Sequence, residues 1–167
     1  IHQSFIASVE ANPGKALFER PGKPDITYAD ALALTRRLAA VLSDAGVQPG
    51  DRVAVQTDKS PEAICLYLAT LQVGGVYLPL NTAYTGAEID YFLGDAAPRF
   101  FVCTPATLTE HKARESGAMR VESLGGNGDG SLMALADAAK PRTDRVACGM
   151  DDPAAILYTS GTTGRSK

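Results

Sequence analysis

"DRVAVQTDKSPEAICLYLATLQVGGVYLPLN", residues 51–81, holds one full period of the pattern that decides the fold. "DRVAVQT" (51–57) reads as a strand and "SPEAICLYLATLQVG" as a helix, with Ser60 as N-cap and Pro61 at the first helical position, where its missing N–H leaves nothing unsatisfied. "VYLPLN" (76–81) is the next strand. A strand, a helical crossover and a second strand make a βαβ unit, and such units build parallel sheets covered by helices.

The alternation continues downstream. "TGAEIDYFLGDA" reads as a helix opened by a capping box from Thr85 to Glu88, and "RFFVCT" (99–104) as a strand followed by a helix around 105–115. "RVESLG" reads as a further strand and "SLMALADAA" as a helix; between them "GGNGDGS" (125–131) is a flexible loop without the full ligand set of a calcium loop. "PRTDRVACGMDD" reads as a surface connection, and "AAILYTS" (154–160) as a strand that runs straight into glycines. Upstream, "KALFER" and "DITY" flank the turn "PGKP", a hairpin signature. Thr27 then starts a helix through the capping box "TYAD", with Leu34, Leu38, Val41, Leu42 and Ala45 along one stripe and Gly46 as a left-handed stop. The expected fold is α/β: a doubly wound, mostly parallel sheet flanked by helices, with an antiparallel hairpin at the start and no internal repeat.

Bulk properties narrow the function. With 167 residues the chain is long enough for one domain with a substantial core. A net charge of −3 and a pI near 5.3 leave no basic footprint for nucleic acid or anionic lipid. The longest dense apolar run, "AICLYLATL" at 63–71, is about half the length that spans a bilayer and reads as a buried helix. "IHQSFIASVE" has neither the basic start nor the apolar stretch of a signal peptide. Cys65, Cys103 and Cys148 fit no metal knuckle or disulfide framework and read as small buried hydrophobes in a reducing, cytoplasmic setting. His2 and His111 have no ligand partners at metal spacing and read as surface residues. No metal site and no catalytic residue is assigned within the chain.

The chemistry concentrates at "YTSGTTGRSK", residues 158–167. Thr159, Ser160, Thr162 and Thr163 offer four hydroxyls within five residues. Gly161 and Gly164 let backbone N–H groups converge on an oxyanion, and Arg165 and Lys167 add positive charge suited to a polyphosphate. The Walker pattern is not met, because only two residues separate the glycines and Lys167 follows three later. Nor is there the Gly-x-Ser-x-Gly of a nucleophile elbow. By composition alone the stretch is either an anion-binding loop or a Gly/Ser/Thr-rich surface turn.

The string "YTSGTTG", followed by Arg-Ser-Lys and preceded by an apolar strand, resembles the phosphate-loop motif of the adenylate-forming enzymes. These include acyl-CoA synthetases, peptide-synthetase adenylation domains and luciferases. "ITYADALALTRRLAAVLSDAGVQPGDRVAV" and "LYLATLQVGGVYLPLNTAYTGAEIDYFLGDAAPRFFV" look like the family's opening elements and its second motif, in order and spacing. The resemblance runs from about residue 14 and is weakest across 104–150. "QTDKSPEAICLYLATLQVGGVYLPLNTAYTGAEIDYFLGDA" and "AAILYTSGTTGRSK" look most like malonyl-CoA synthetases, and Asn81 supports an acyl-CoA synthetase over a peptide-synthetase domain.

The resemblance implies two steps. A small carboxylate, malonate here, attacks the α-phosphate of Mg2+-ATP to give an acyl-adenylate and pyrophosphate; the thiol of coenzyme A then displaces AMP. Thr159, Ser160, Gly161, Thr162, Thr163, Gly164 and Lys167 would hold the ATP phosphates. It also implies that residues 1–167 are the N-terminal portion of the family's large domain, with the adenine pocket, the ribose-binding Asp, the metal-contacting Glu and the C-terminal domain outside this sequence. The portion alone is expected not to turn over and to be prone to self-association. Three other readings stand beside this one: a ligase of another carboxylic acid in the same superfamily, a P-loop NTPase, and a non-catalytic α/β binding module.

Overall fold

A computed structural model describes residues 1–149 and 151–159. The elements follow in the order α1 (His2–Ala11), β1 (Ala16–Phe18), β2 (Ile26–Thr27), α2 (Tyr28–Asp44), β3 (Arg52–Val55), α3 (Pro61–Gln72) and β4 (Val76–Pro79). They continue with α4 (Gly86–Ala96), β5 (Phe100–Cys103), a 3-10 turn (Pro105–Thr107), α5 (Leu108–Lys112), β6 (Arg120–Ser123) and α6 (Ser131–Ala138). β1 and β2 form the antiparallel hairpin. β3 to β6 form a parallel sheet in the order β4-β3-β5-β6. This is the α/β sheet, flanked by helices, that the alternation predicts.

The helix starts are local chemistry. Thr27 accepts from the Asp30 N–H while the Asp30 carboxylate accepts from the Thr27 N–H, and Thr85 and Glu88 repeat the exchange at α4. Ser60 accepts from the Ala63 N–H ahead of Pro61. Gly46 adopts φ +80° after α2, the left-handed stop expected of it.

Both sheet faces are buried. α2, α3 and α6 close over one face, where Leu38, Leu42, Leu66, Val53, Phe100 and Val102 pack together. α4 and α5 close over the other, around Ala54, Leu78, Ile89, Phe92, Phe101 and Val121. Successive β5 residues therefore alternate between two dry cores, and all four are fully buried. This explains why "RFFVC" carries no polar alternation.

The structure departs from the sequence reading at four places. Residues 2–11 form α1, which the weakly amphipathic "HQSFIASVEA" does not announce; Val9 is buried and Phe5 stacks near Tyr28 at 6.3 Å. His111 is 3% exposed rather than on the surface, because α5 lays its ring edge-on against Phe101 at 5.1 Å. Cys65 and Cys103 are buried as expected, but Cys148 is exposed, since its segment crosses the surface outside both cores. The expected strand at 154–160 pairs at one residue among those described, Ala155 opposite Tyr77.

That last departure has a covalent cause. β4 directs Val76 and Leu80 toward β3 and Tyr77 toward the outer edge, where Tyr77 donates to the Ala154 carbonyl and accepts from the Ile156 N–H. The next β4 residue facing that edge is Pro79, which has no N–H to continue the ladder. The connection that reaches this edge is itself anchored. The Gln72 side-chain amide donates to the Arg142 and Asp144 carbonyls at 2.8 and 3.0 Å, and Val146 lies over Gly74, where a Cβ would meet it at 2.9 Å.

Candidate nucleotide-binding site

The parallel bridge at Tyr77 points residues 154–156 toward the carboxyl ends of the sheet strands, the side on which doubly wound folds bind ligands. Of the residues assigned to the phosphate loop, Thr159 is described and is exposed. Ser160, Gly161, Thr162, Thr163, Gly164 and Lys167 lie outside the described residues. The approach to the loop is held from the side by Tyr158. Its hydroxyl donates to Asp95 Oδ2 at 2.5 Å and its ring lies 4.6 Å from that of Phe92. Desolvation, the bond to Asp95 and that carboxylate's charge push the Tyr158 hydroxyl pKa up to about 12.

A second feature lies at the same end of the sheet. The helices after β3 and β5 pass to opposite faces, so the gap between these two strands is the topological switch point. A cleft of about 80 Å3 opens there, lined by Gln56, Thr82, Tyr84, Thr104, Thr107 and His111 among others. It is smaller than the roughly 300 Å3 at which ligand pockets begin. Its walls are tied together: Gln56 Nε2 donates to the Asn81 carbonyl at 3.0 Å, and the Thr104 and Thr107 hydroxyls lie 3.1 Å apart. His111 Nδ1 lies 3.1 Å from a guanidinium nitrogen of Arg114, so Nδ1 accepts and the proton sits on Nε2. Burial, with the Arg114 charge adding to it, holds the His111 pKa below the ordinary histidine value.

Asn81 takes a structural part here. Its side-chain oxygen accepts from the Ala83 N–H at 2.9 Å, a turn that an aspartate would form equally well. The local fold therefore does not dictate Asn at this position. A larger hollow of about 430 Å3 lies between Arg52, Asp95, Ala96 and residues 156–158. It carries no convergent set of donors; Arg52 is committed to the carbonyls of Ala96 and Ala97 at 2.6 and 2.8 Å. Among the described residues no group of three or more His, Cys, Asp or Glu side chains could hold a metal ion, and no helix is long and apolar enough to cross a membrane.

Two features of this region are not announced by the sequence. Tyr158 shows its role only through the distant Asp95, and His111 only through the fold of α5 against β5.

The family of AMP-binding enzymes matches residues 5–167. The crystal structure of ATP-bound MatB from Rhodopseudomonas palustris superposes with a TM-score of 0.90 at 48% identity, covering 99% of this chain and 33% of that one. Feruloyl-CoA synthase of an Amycolatopsis species is 36% identical over 149 residues, 89% of this chain and 28% of its own length. Malpinin synthetase of Mortierella alpina is 32% identical over 168 residues, all of this chain and 2% of that one. The chain thus spans about a third or less of each of these three relatives.

Proposed function

The chain belongs to the AMP-binding enzymes, the adenylate-forming family, and on that premise we propose that it is the N-terminal portion of the large domain of an ATP-dependent carboxylate–CoA ligase acting on malonate. The observation that carries the reading is the string "YTSGTTGRSK" placed after a segment that joins the edge of a parallel sheet pointing toward its carboxyl ends. Support for a small acid comes from the likeness of residues 56–96 and 154–167 to malonyl-CoA synthetases. The 48% identity to MatB, against 32% to the long-chain-fatty-acid–CoA ligase FadD13 of Mycobacterium tuberculosis, points the same way.

In this reading the acid's carboxylate attacks the α-phosphate of ATP, pyrophosphate departs, and coenzyme A thiol then displaces AMP from the acyl-adenylate. Charge develops on the departing β- and γ-phosphates. The hydroxyls of Thr159, Ser160, Thr162 and Thr163 and the Lys167 ammonium are the donors that would meet it, while Gly161 and Gly164 admit the backbone to the phosphate oxygens. Mg2+ would come as part of the substrate, with the nucleotide's phosphates. The groups that bind the acid and the adenine belong to the rest of the enzyme.

The test is isotope exchange of pyrophosphate into ATP by the full-length protein across a panel of carboxylic acids. Exchange with malonate above the other acids is expected, and Gly164→Val is expected to abolish it without lowering the melting temperature. No exchange with any acid refutes the ligase; a preference for another acid refutes malonate alone.

A further inference from the structure

The segment that enters the phosphate loop is weakly tied to the sheet. Among the described residues its backbone makes two hydrogen bonds to β4, both through Tyr77, at 3.1 and 2.9 Å. Residues 155–157 are exposed, Leu157 by 68%. Two bonds at an edge that Pro79 prevents from extending do not define where a loop begins to better than local fraying allows.

Tyr158 supplies what the edge lacks. Its ring seats on Phe92, which is 2% exposed and is flanked by Tyr84 at 4.8 Å and Tyr91 at 5.4 Å. Its hydroxyl reaches Asp95 in the last turn of α4. A carboxylate there faces the helix's free carbonyl ends, where negative charge is unfavourable. Arg52, the nearby cation lining the same hollow, is already taken by the Ala96 and Ala97 carbonyls. The tyrosine hydroxyl is thus the donor that satisfies Asp95, and the bond joins an otherwise loose segment to a helix fixed by its own capping box.

We infer that Tyr158 is a positioning residue: through Phe92 and Asp95 it ties the base of the phosphate loop to α4, setting where the loop's donors meet the nucleotide. This rests on the reading of 159–167 as the phosphate loop. The expected consequence lies in nucleotide capture rather than in folding, because displacing donors by a fraction of an ångström weakens their grip without removing them.

The test compares Tyr158→Phe, Asp95→Ala, their combination and Asp95→Asn, which keeps an acceptor for the hydroxyl. Hydrogen exchange of the Ile156 amide is expected to speed up about tenfold in Tyr158→Phe and Asp95→Ala, the loss of one charge-assisted bond at a partly exposed site, while amides of β3 and β5 stay unchanged. In pyrophosphate exchange the same two variants are expected to raise the KM for ATP several-fold, with kcat within about twofold and the melting temperature unmoved. The double variant is expected to match either single one, and Asp95→Asn to restore most of the loss. Unchanged exchange at Ile156 overturns the anchor. Faster exchange with an unchanged KM for ATP overturns the positioning role, as does a double variant that adds the two single effects. If the wild-type protein exchanges pyrophosphate with no acid, the ligase reading falls instead, and the anchor is judged by the Ile156 amide.

Discussion

Phe100 and Phe101 are neighbours in β5, and each is completely buried. Phe100 faces the core under α2, α3 and α6, and Phe101 the core under α4 and α5. Truncating either to alanine removes a whole phenyl group from a dry site. The sites cannot collapse to fill the space, because β5 is clamped on both sides by backbone ladders, Phe101 pairing with Ala54 on β3 and with Val121 on β6. The loss is therefore expected near the upper part of the usual range, about 4 kcal/mol for each. For Phe101 the edge contact with His111 adds about 0.5–1 kcal/mol. Phe→Leu at either site, costing about 1–1.5 kcal/mol, keeps the comparison measurable if the alanine variants unfold. Urea denaturation followed by circular dichroism is the assay, since the chain has no tryptophan. In a sheet with one wet face, adjacent positions would alternate between costly and neutral. If either phenylalanine can be truncated for less than about 1 kcal/mol at an unchanged m-value, the two-faced burial is refuted.

Other outcomes depend on single sites. Native chain is expected to give one fast thiol equivalent with a disulfide reagent, from exposed Cys148, and two more only on unfolding; burial pushes the Cys65 thiol up to about 12, and Cys103 is raised for the same reason. Because the folded state holds His111 below its ordinary value, the unfolded chain binds a proton that the fold refuses. Stability is then full above about pH 6.5 and falls as pH drops below it, and His111→Asn in a His2→Gln background is expected to flatten the urea midpoint between pH 7.5 and 5. Arg114, which carries the repelling charge, is itself offset by Asp90 and Glu110, so removing Asp90 is expected to steepen that fall. Thr85→Ala breaks the α4 capping box and is expected to cost about 1 kcal/mol by the same denaturation.

Legible in the sequence was whatever neighbouring residues settle among themselves. The Thr27 and Thr85 capping boxes, the Ser60–Pro61 start and the Gly46 stop are satisfied within about four residues of chain, and each is found where the sequence puts it. Periodicity then supplied most of the remaining helices and strands. Features decided by contacts distant in sequence escaped. α1 has little stripe of its own; Val9 is buried, and Phe5 packs against the core that α2 helps to form. The sequence assigns the arginines no structural part, yet Arg52 caps the end of α4 and Arg99 donates to the Gly117 and Ala118 carbonyls, 18 and 19 residues on. Nothing in the local sequence distinguishes such residues from solvated ones.

The same division runs through the candidate site and explains why its parts differ in visibility. On the proposed reading, a phosphate loop works through backbone N–H groups, hydroxyls and glycines that must stand close together, so its chemistry would be compressed into one readable run, 159–167. The support of that run is spread out: Tyr158 acts through a carboxylate 63 residues earlier, and the edge it stands on stops at Pro79. Pro79 is where the two kinds of information meet. Read locally it is a mild flaw in the strand "VYLPLN"; in the sheet it ends the outer ladder, among the described residues, after one bridge, and so leaves the approach through Tyr158 to side chains. An edge strand with a full ladder would hold the loop rigidly, whereas a nucleotide that must enter and a pyrophosphate that must leave favour an approach tethered at few points. Pro79→Val therefore has a defined expected outcome: a longer ladder, slower hydrogen exchange at residues 156–159, and a KM for ATP less sensitive to Tyr158→Phe. A Pro79→Val variant in which Tyr158→Phe still raises the KM for ATP by its full factor would show that the proline does not set the loop's dependence on its tether.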